Sequence, residues 1–155
     1  VNTNESQLSA NPVAVIGGLL GLLPFWGLAF AELWATGDWV VSALAHLVNY
    51  AALILAFVGA IWWGIALNGP QGLVGLASRG FLFGWSLVPC LLAWFLLTLD
   101  RQMALIGFAA LLVLQLLLDF IFLWRVQLIA RWFWQLRVVL TVGAAPALLF
   151  AGVFE

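Results

Sequence analysis

The chain alternates between long apolar runs and short polar interruptions, and that alternation fixes its architecture. The apolar runs cover about 13–31, 44–67, 80–99, 102–124 and 137–154. Each approaches the roughly 20 helical residues needed to cross a bilayer core of about 30 Å. Within lipid only helices and closed barrels satisfy their own backbone. These runs are too long and too evenly apolar to be barrel strands. The sequence therefore predicts an all-α bundle of five transmembrane helices forming one domain over 1–155. Pro24, Pro89 and Pro146 fall inside three of the runs and are expected to kink them rather than end them, because neighbouring helices can satisfy the freed carbonyls.

The interruptions differ in character. Residues 32–43 carry Glu32 and Asp38 with Trp34 and Trp39. Asn68-Gly69-Pro70 is a helix stop. Asp100-Arg101 is tight enough to make the third and fourth helices antiparallel neighbours. The last interruption, Arg125 to Arg137, is apolar, aromatic and basic together, which predicts a short helix along the membrane surface. The polar start, VNTNESQLSANP, has no basic residue and so does not read as a secretory leader.

Composition sharpens the picture. Hydrophobic residues make up 66% of the chain and charged residues 7%, with a mean hydropathy of +1.19. That is too little charge to cover a water-soluble domain. The absence of Lys and a net charge of −1 exclude electrostatic capture of nucleic acid. The single Cys90 excludes an internal disulfide and a Cys-based metal cluster. Arg79, Arg125, Arg131 and Arg137 fall on the N-terminal side of the expected topology, and Arg101 alone on the other. By the positive-inside rule the N-terminus is cytoplasmic and the C-terminus outside. With no targeting segment visible, a bacterial inner membrane is the simplest location.

Ionisable residues inside spans are functional candidates by default. Asp119, late in the fourth helix, has Gln115 one turn earlier on the same face, and Arg137 enters the fifth helix from the same side. Two readings follow. Asp119 and Arg137 clamp the aromatic connection to the bundle, with Gln115 hydrogen-bonded nearby. Alternatively, Arg125, Arg131, Arg137 and Asp119, walled by Trp85, Trp124, Trp132 and Trp134, form a pocket for a lipid headgroup or an amphipathic ligand. Arg forks suit phosphate and indoles suit apolar or planar groups.

An outer polar cluster is expected from Glu32, His46, Asn49, Tyr50 and Arg101, with His46, Asn49 and Tyr50 on one helical face. One His among scattered carboxylates is a poor metal site, so no metal is assigned, and no cofactor can be named. Tyr50 and the Trp62-Trp63 pair sit near the ends of the second run, where amphipathic rings anchor a helix at the interface. Ala52, Ala56, Ala60 and Gly64 form a stripe of small residues, as do Gly17 and Gly21 in the first helix and Gly143, Ala147 and Ala151 in the fifth. Such stripes let helices approach closely, within the bundle or across a homodimer seam. Ser86 and Cys90 lack a base on their side of the membrane, so no nucleophile is assigned and catalysis is not expected.

The order of motifs resembles a known family. GLLGLLPFWGLAF (18–30), YAALILAFVGAIWWGIAL (50–67), WSLVPCLLAW (85–94), Asp119 and WFWQLRVVLT (132–141) together resemble domain-of-unknown-function family 3429, the transmembrane protein 69-like proteins. The likeness runs along nearly the whole chain after residue 13. One departure is Ile61-Trp62 before Trp63-Gly64, where the family often has a His; any chemistry of that His is missing here. The resemblance implies a membrane fold and no activity. A likeness in size and Trp content to the tryptophan-rich sensory (translocator) proteins lacks their Lys-Pro-x-Trp-x-Pro-Pro loop. Three roles follow as expectations. The first is a non-catalytic protein that binds a membrane partner, assists assembly or serves as a subunit. The second is a binder or carrier of a lipid or other hydrophobic ligand. The third is a small transporter acting as a dimer. The expected partners are membrane lipids, with a membrane protein or a second copy of the chain beside them.

Overall fold

Helices account for every regular element in the computed structural model, which describes residues 10–34, 36–68 and 78–154, without the side chains of Glu32, Trp34 and Phe154. Gly69 and Pro70 of the expected stop, the Glu32 and Trp34 side chains and Glu155 therefore lie outside the described residues. The elements are α1 (Pro12–Leu20), α2 (Leu22–Trp34), α3 (Asp38–Asn68), α4 (Arg79–Leu96), α5 (Arg101–Leu118), a π-helical continuation (Asp119–Trp124) and α6 (Arg131–Phe154). Five rods among them are long and apolar enough to span a membrane: 12–31, 38–68, 79–96, 101–124 and 131–153. Less than half of the apolar window of each span is buried inside the bundle, and the exposed side chains include Val13, Leu53, Trp94 and Val153. Outward apolar faces of this extent are stable in lipid and not in water. The protein is a multi-pass membrane protein.

Local chemistry sets the ends. Asn11 caps α1, its Oδ1 accepting from the amides of Val13 at 2.9 Å and Ala14 at 3.4 Å, and Pro12 occupies the first turn, where a missing N–H costs nothing. The first span breaks at Gly21. Pro24 offers no amide to the Leu20 carbonyl and its ring crowds that oxygen, so the chain takes a turn between α1 and α2. The Tyr50 hydroxyl donates to the Gly21 carbonyl at 2.9 Å, and its ring packs edge-on against Phe25 at 5.0 Å. Tyr50 is thus an internal strut at the middle of α3 and not an interfacial anchor. By contrast, α4 and α6 run through Pro89 and Pro146.

Two boundaries differ from the sequence reading. Helix α3 begins at Asp38, six residues early, after Gly37 at φ +63°. Asp38 in the first turn favours that start through the helix dipole. Helix α6 begins at Arg131, and residues 125–130 form turns around Gln127 at φ +57°. No separate interfacial helix is present among these residues. Between Arg131 and Val142 there is neither Gly nor Pro, so the aromatic run extends the last helix.

The main core joins α2, α3, α5 and α6 through Phe25, Leu47, Leu55, Phe108 and Leu148. A smaller core of Trp62, Ala66, Leu82 and Leu123 fills the bundle where α3 ends and α4 begins. Of the expected stripe on α3, Ala52 is buried, Ala56 is half-buried, and Ala60 and Gly64 are exposed. On α3 the tight contact is made instead by Gly59, where a Cβ would stand 2.9 Å from the Pro89 ring and 3.1 Å from the Ser86 carbonyl. The rigid ring and the backbone leave no room there, so α3 meets α4 at this glycine.

Candidate functional site

A carboxylate in a hydrophobic bundle needs every lone pair occupied, and Asp119 has that. It is 3% exposed. Oδ2 accepts from Arg137 Nε at 3.0 Å and Nη2 at 2.7 Å. Oδ1 accepts from Trp62 Nε1 at 2.7 Å and Gln115 Nε2 at 3.0 Å. Gln115 in turn accepts from Trp85 Nε1 at 3.2 Å through its Oε1. The network therefore ties α3, α4, α5 with its π continuation, and α6 to one carboxylate. Spacing explains the local pieces: Gln115 and Asp119 are four residues apart on one helical face. The residues from Asp119 onward adopt the wider π turn, a form frequent at functional sites.

The network realises the ion pair and the Gln115 contact expected from sequence, and Trp85 joins it. The rest of the expected pocket does not assemble around it. Arg125 and Arg131 are exposed, and neither bonds to Asp119. Trp124 stacks on Trp134 at 5.9 Å and 18°, and Trp132 packs on Phe133. The turn at 125–130 leaves the two arginines exposed and the three tryptophans half-buried.

Sequence reasoning missed Trp62. Leu55, Val58, Gly59, Trp62 and Ala66 recur at helical spacing on the buried face of α3. Trp62 is 0% exposed, while Trp63, turned about 100° away, is 44% exposed. The pair is one core indole and one surface indole, not two belt residues.

Beside the network lies a cavity of about 430 Å³ among α1, α2, α3, α5 and α6, within the ~300–1,000 Å³ usual for ligand pockets. Its walls are mainly apolar, among them Ile54, Phe57, Leu136 and Leu140, and its polar lining includes Tyr50, Arg137 and Thr141. Along α3 it reaches from Tyr50 to Ile61, roughly 16 Å at 1.5 Å per residue. Helix α1 forms one wall, buries none of its own residues, and rests on α6 where Gly18 faces Leu136 and Leu140. Thr141, 4% exposed, is a second residue that sequence reading passed over; its place one turn after Arg137 was the available signal.

The outer cluster does not form as one site. His46 and Asn49 are exposed, Tyr50 turns inward to Gly21, and Arg101 starts α5 after Asp100, whose Oδ1 caps Met103 N at 3.0 Å. Among the described residues, no three His, Cys, Asp or Glu side chains group as a metal site.

These features define a multi-pass helical membrane bundle, cross-linked by the buried Asp119–Arg137 ion pair and hollowed beside it. The chain belongs to the family described as a protein of unknown function, DUF3429, whose model matches residues 10–153. No curated protein and no solved structure matches the chain.

Proposed function

We propose that this protein is a non-catalytic membrane bundle that binds a hydrophobic, lipid-like molecule in the cavity between α1, α3 and α6. The observation that carries this reading is the cavity itself: apolar walls, a buried arginine in the lining, and a lateral wall made by a half-helix with no buried residue. A ligand dissolved in the bilayer would enter past α1, with Gly21 as the hinge. The cavity is what supports ligand binding over the partner-binding and transport readings. Asp119 is a structural centre in this account, since four donors already occupy its two oxygens. The clustering of Arg79, Arg125 and Arg131 at one end supports a cytoplasmic placement of that end.

Gly17 supplies the test. It lines the cavity, and a Cβ there would meet nothing within 4 Å. Gly17→Phe places a ring at the cavity wall and narrows the cavity while replacing a poor helix former, so the bundle keeps its melting temperature. Organic extraction of wild-type protein purified in mild detergent, followed by mass spectrometry, is expected to yield about one lipid-soluble molecule per chain, with at least a fivefold loss in Gly17→Phe. Equal recovery from both proteins contradicts the reading.

A further inference from the structure

The hydrogen bonds of Arg137 in the cavity lining define what the ligand must bring. A guanidinium presents five N–H donors in a fixed fork. In Arg137, 4% exposed, Nε and Nη2 both face Asp119 Oδ2. Nη1, on the other edge, has no acceptor among the described residues, and Arg137 lines the cavity. Thr141 lies four residues on, where Cβ atoms stand about 5–6 Å apart on one helical face. It too is 4% exposed and lines the cavity.

A hydroxyl inside a helix ordinarily bonds a carbonyl one turn back. Ser86 does so to Phe83 at 2.6 Å, and Thr98, in the turn after α4, bonds Phe95 in the same way at 2.7 Å. The Thr141 hydroxyl makes no such bond among the described residues. Two buried donors thus border one apolar cavity, where buried polar groups require partners.

We infer that the cavity holds the carbonyl end of a long-chain neutral lipid, its oxygen accepting from Arg137 Nη1 and Thr141 Oγ1 and its tail lying along the apolar walls. This rests on the ligand-binding reading above and names the ligand's chemistry. The electrostatics select a neutral group. Asp119 already balances the charge of Arg137, so a ligand carboxylate or phosphate would add an uncompensated anion close to the Asp119 oxygens in a medium of low dielectric. A ketone, ester or quinone oxygen accepts two hydrogen bonds without that penalty. The acyl ester of a glycerolipid and the carbonyl of a prenylated quinone share this chemistry.

Delipidated protein in detergent tests the assignment with three probes of equal chain length: an alkane, a methyl ester and an ionised fatty acid. Wild type is expected to bind the ester about tenfold more tightly than the alkane, as one to two hydrogen bonds to a charged donor allow. The ionised acid should bind no better than the ester. Thr141→Val keeps the side-chain shape and leaves the Asp119 network intact. It should weaken the ester about fivefold and leave the alkane unchanged. Competition against the bound ester by diacylglycerol or by a prenylquinone identifies the source, and either supports the inference. Equal affinity for ester and alkane, tightest binding of the acid, an unaltered ester affinity in Thr141→Val, or no competition by either lipid overturns it. Failure of every probe to bind wild type overturns instead the ligand-binding reading beneath it.

Discussion

Asp119→Asn is expected to lower the melting temperature in detergent by about 10 °C, and Arg125→Ala to change it by less than about 2 °C. The amide keeps the carboxylate's shape and can still accept from Trp62 and Gln115. Its NH₂ group, however, faces the Nε and Nη2 donors of Arg137, so donors confront donors and a guanidinium that is 4% exposed loses its counter-charge. Removing one partner of a buried pair costs about 3–5 kcal/mol. Arg125 is exposed on the turn after the π segment, where an isolated surface charge contributes little. Circular dichroism during heating reads both variants.

The second large effect separates two adjacent tryptophans. Trp62→Ala is expected to cost about 3–5 kcal/mol, because a fully buried indole leaves a cavity as well as losing its contacts. Trp62 packs against Phe81, Trp85 and Phe122 at centroid distances of 6.1, 6.0 and 5.9 Å, and its N–H occupies one side of Asp119 Oδ1. Trp63 faces outward and touches Phe83 at 4.9 Å, so Trp63→Ala should cost about 1 kcal/mol or less, in the range of surface changes with modest contacts. Trp62→Phe restores most of the bulk but not the donor, and falls between them at roughly 1–2 kcal/mol. Equal losses for the two alanine variants would contradict the placement of α3 in the bundle.

How much of this was legible beforehand follows from which residues have only one viable role. A carboxylate within an apolar run must find a partner, so Asp119, Gln115 and Arg137 could be joined from sequence, and the spans follow from length and hydropathy. Tryptophan and tyrosine have two roles in a membrane protein, at the interface or in the core. That ambiguity hid Trp62 and Tyr50. The inward face of α3 decides it, and that face is set by Gly59 against Pro89 and not by the stripe ending at Ala60 and Gly64. The expected pocket of Arg125, Arg131, Trp124, Trp132 and Trp134 relied on nearness along the chain. A turn at Gln127 and an early start of α6 send those side chains elsewhere. The cavity arises from residues contributed by five helices, and no linear pattern marks it. Its polar lining also depends on Thr141, a single hydroxyl inconspicuous within the last apolar run.

The family match names no role, so the account depends most on whether Asp119 and Arg137 act as one unit. A double-mutant cycle measures that unit: thermal or denaturant unfolding of wild type, Asp119→Asn, Arg137→Met and the double variant. The predicted result is a double variant that loses about as much as either single one, giving a coupling of at least about 2 kcal/mol. Losses that simply add, within about 0.5 kcal/mol, would contradict a bundle built around this pair.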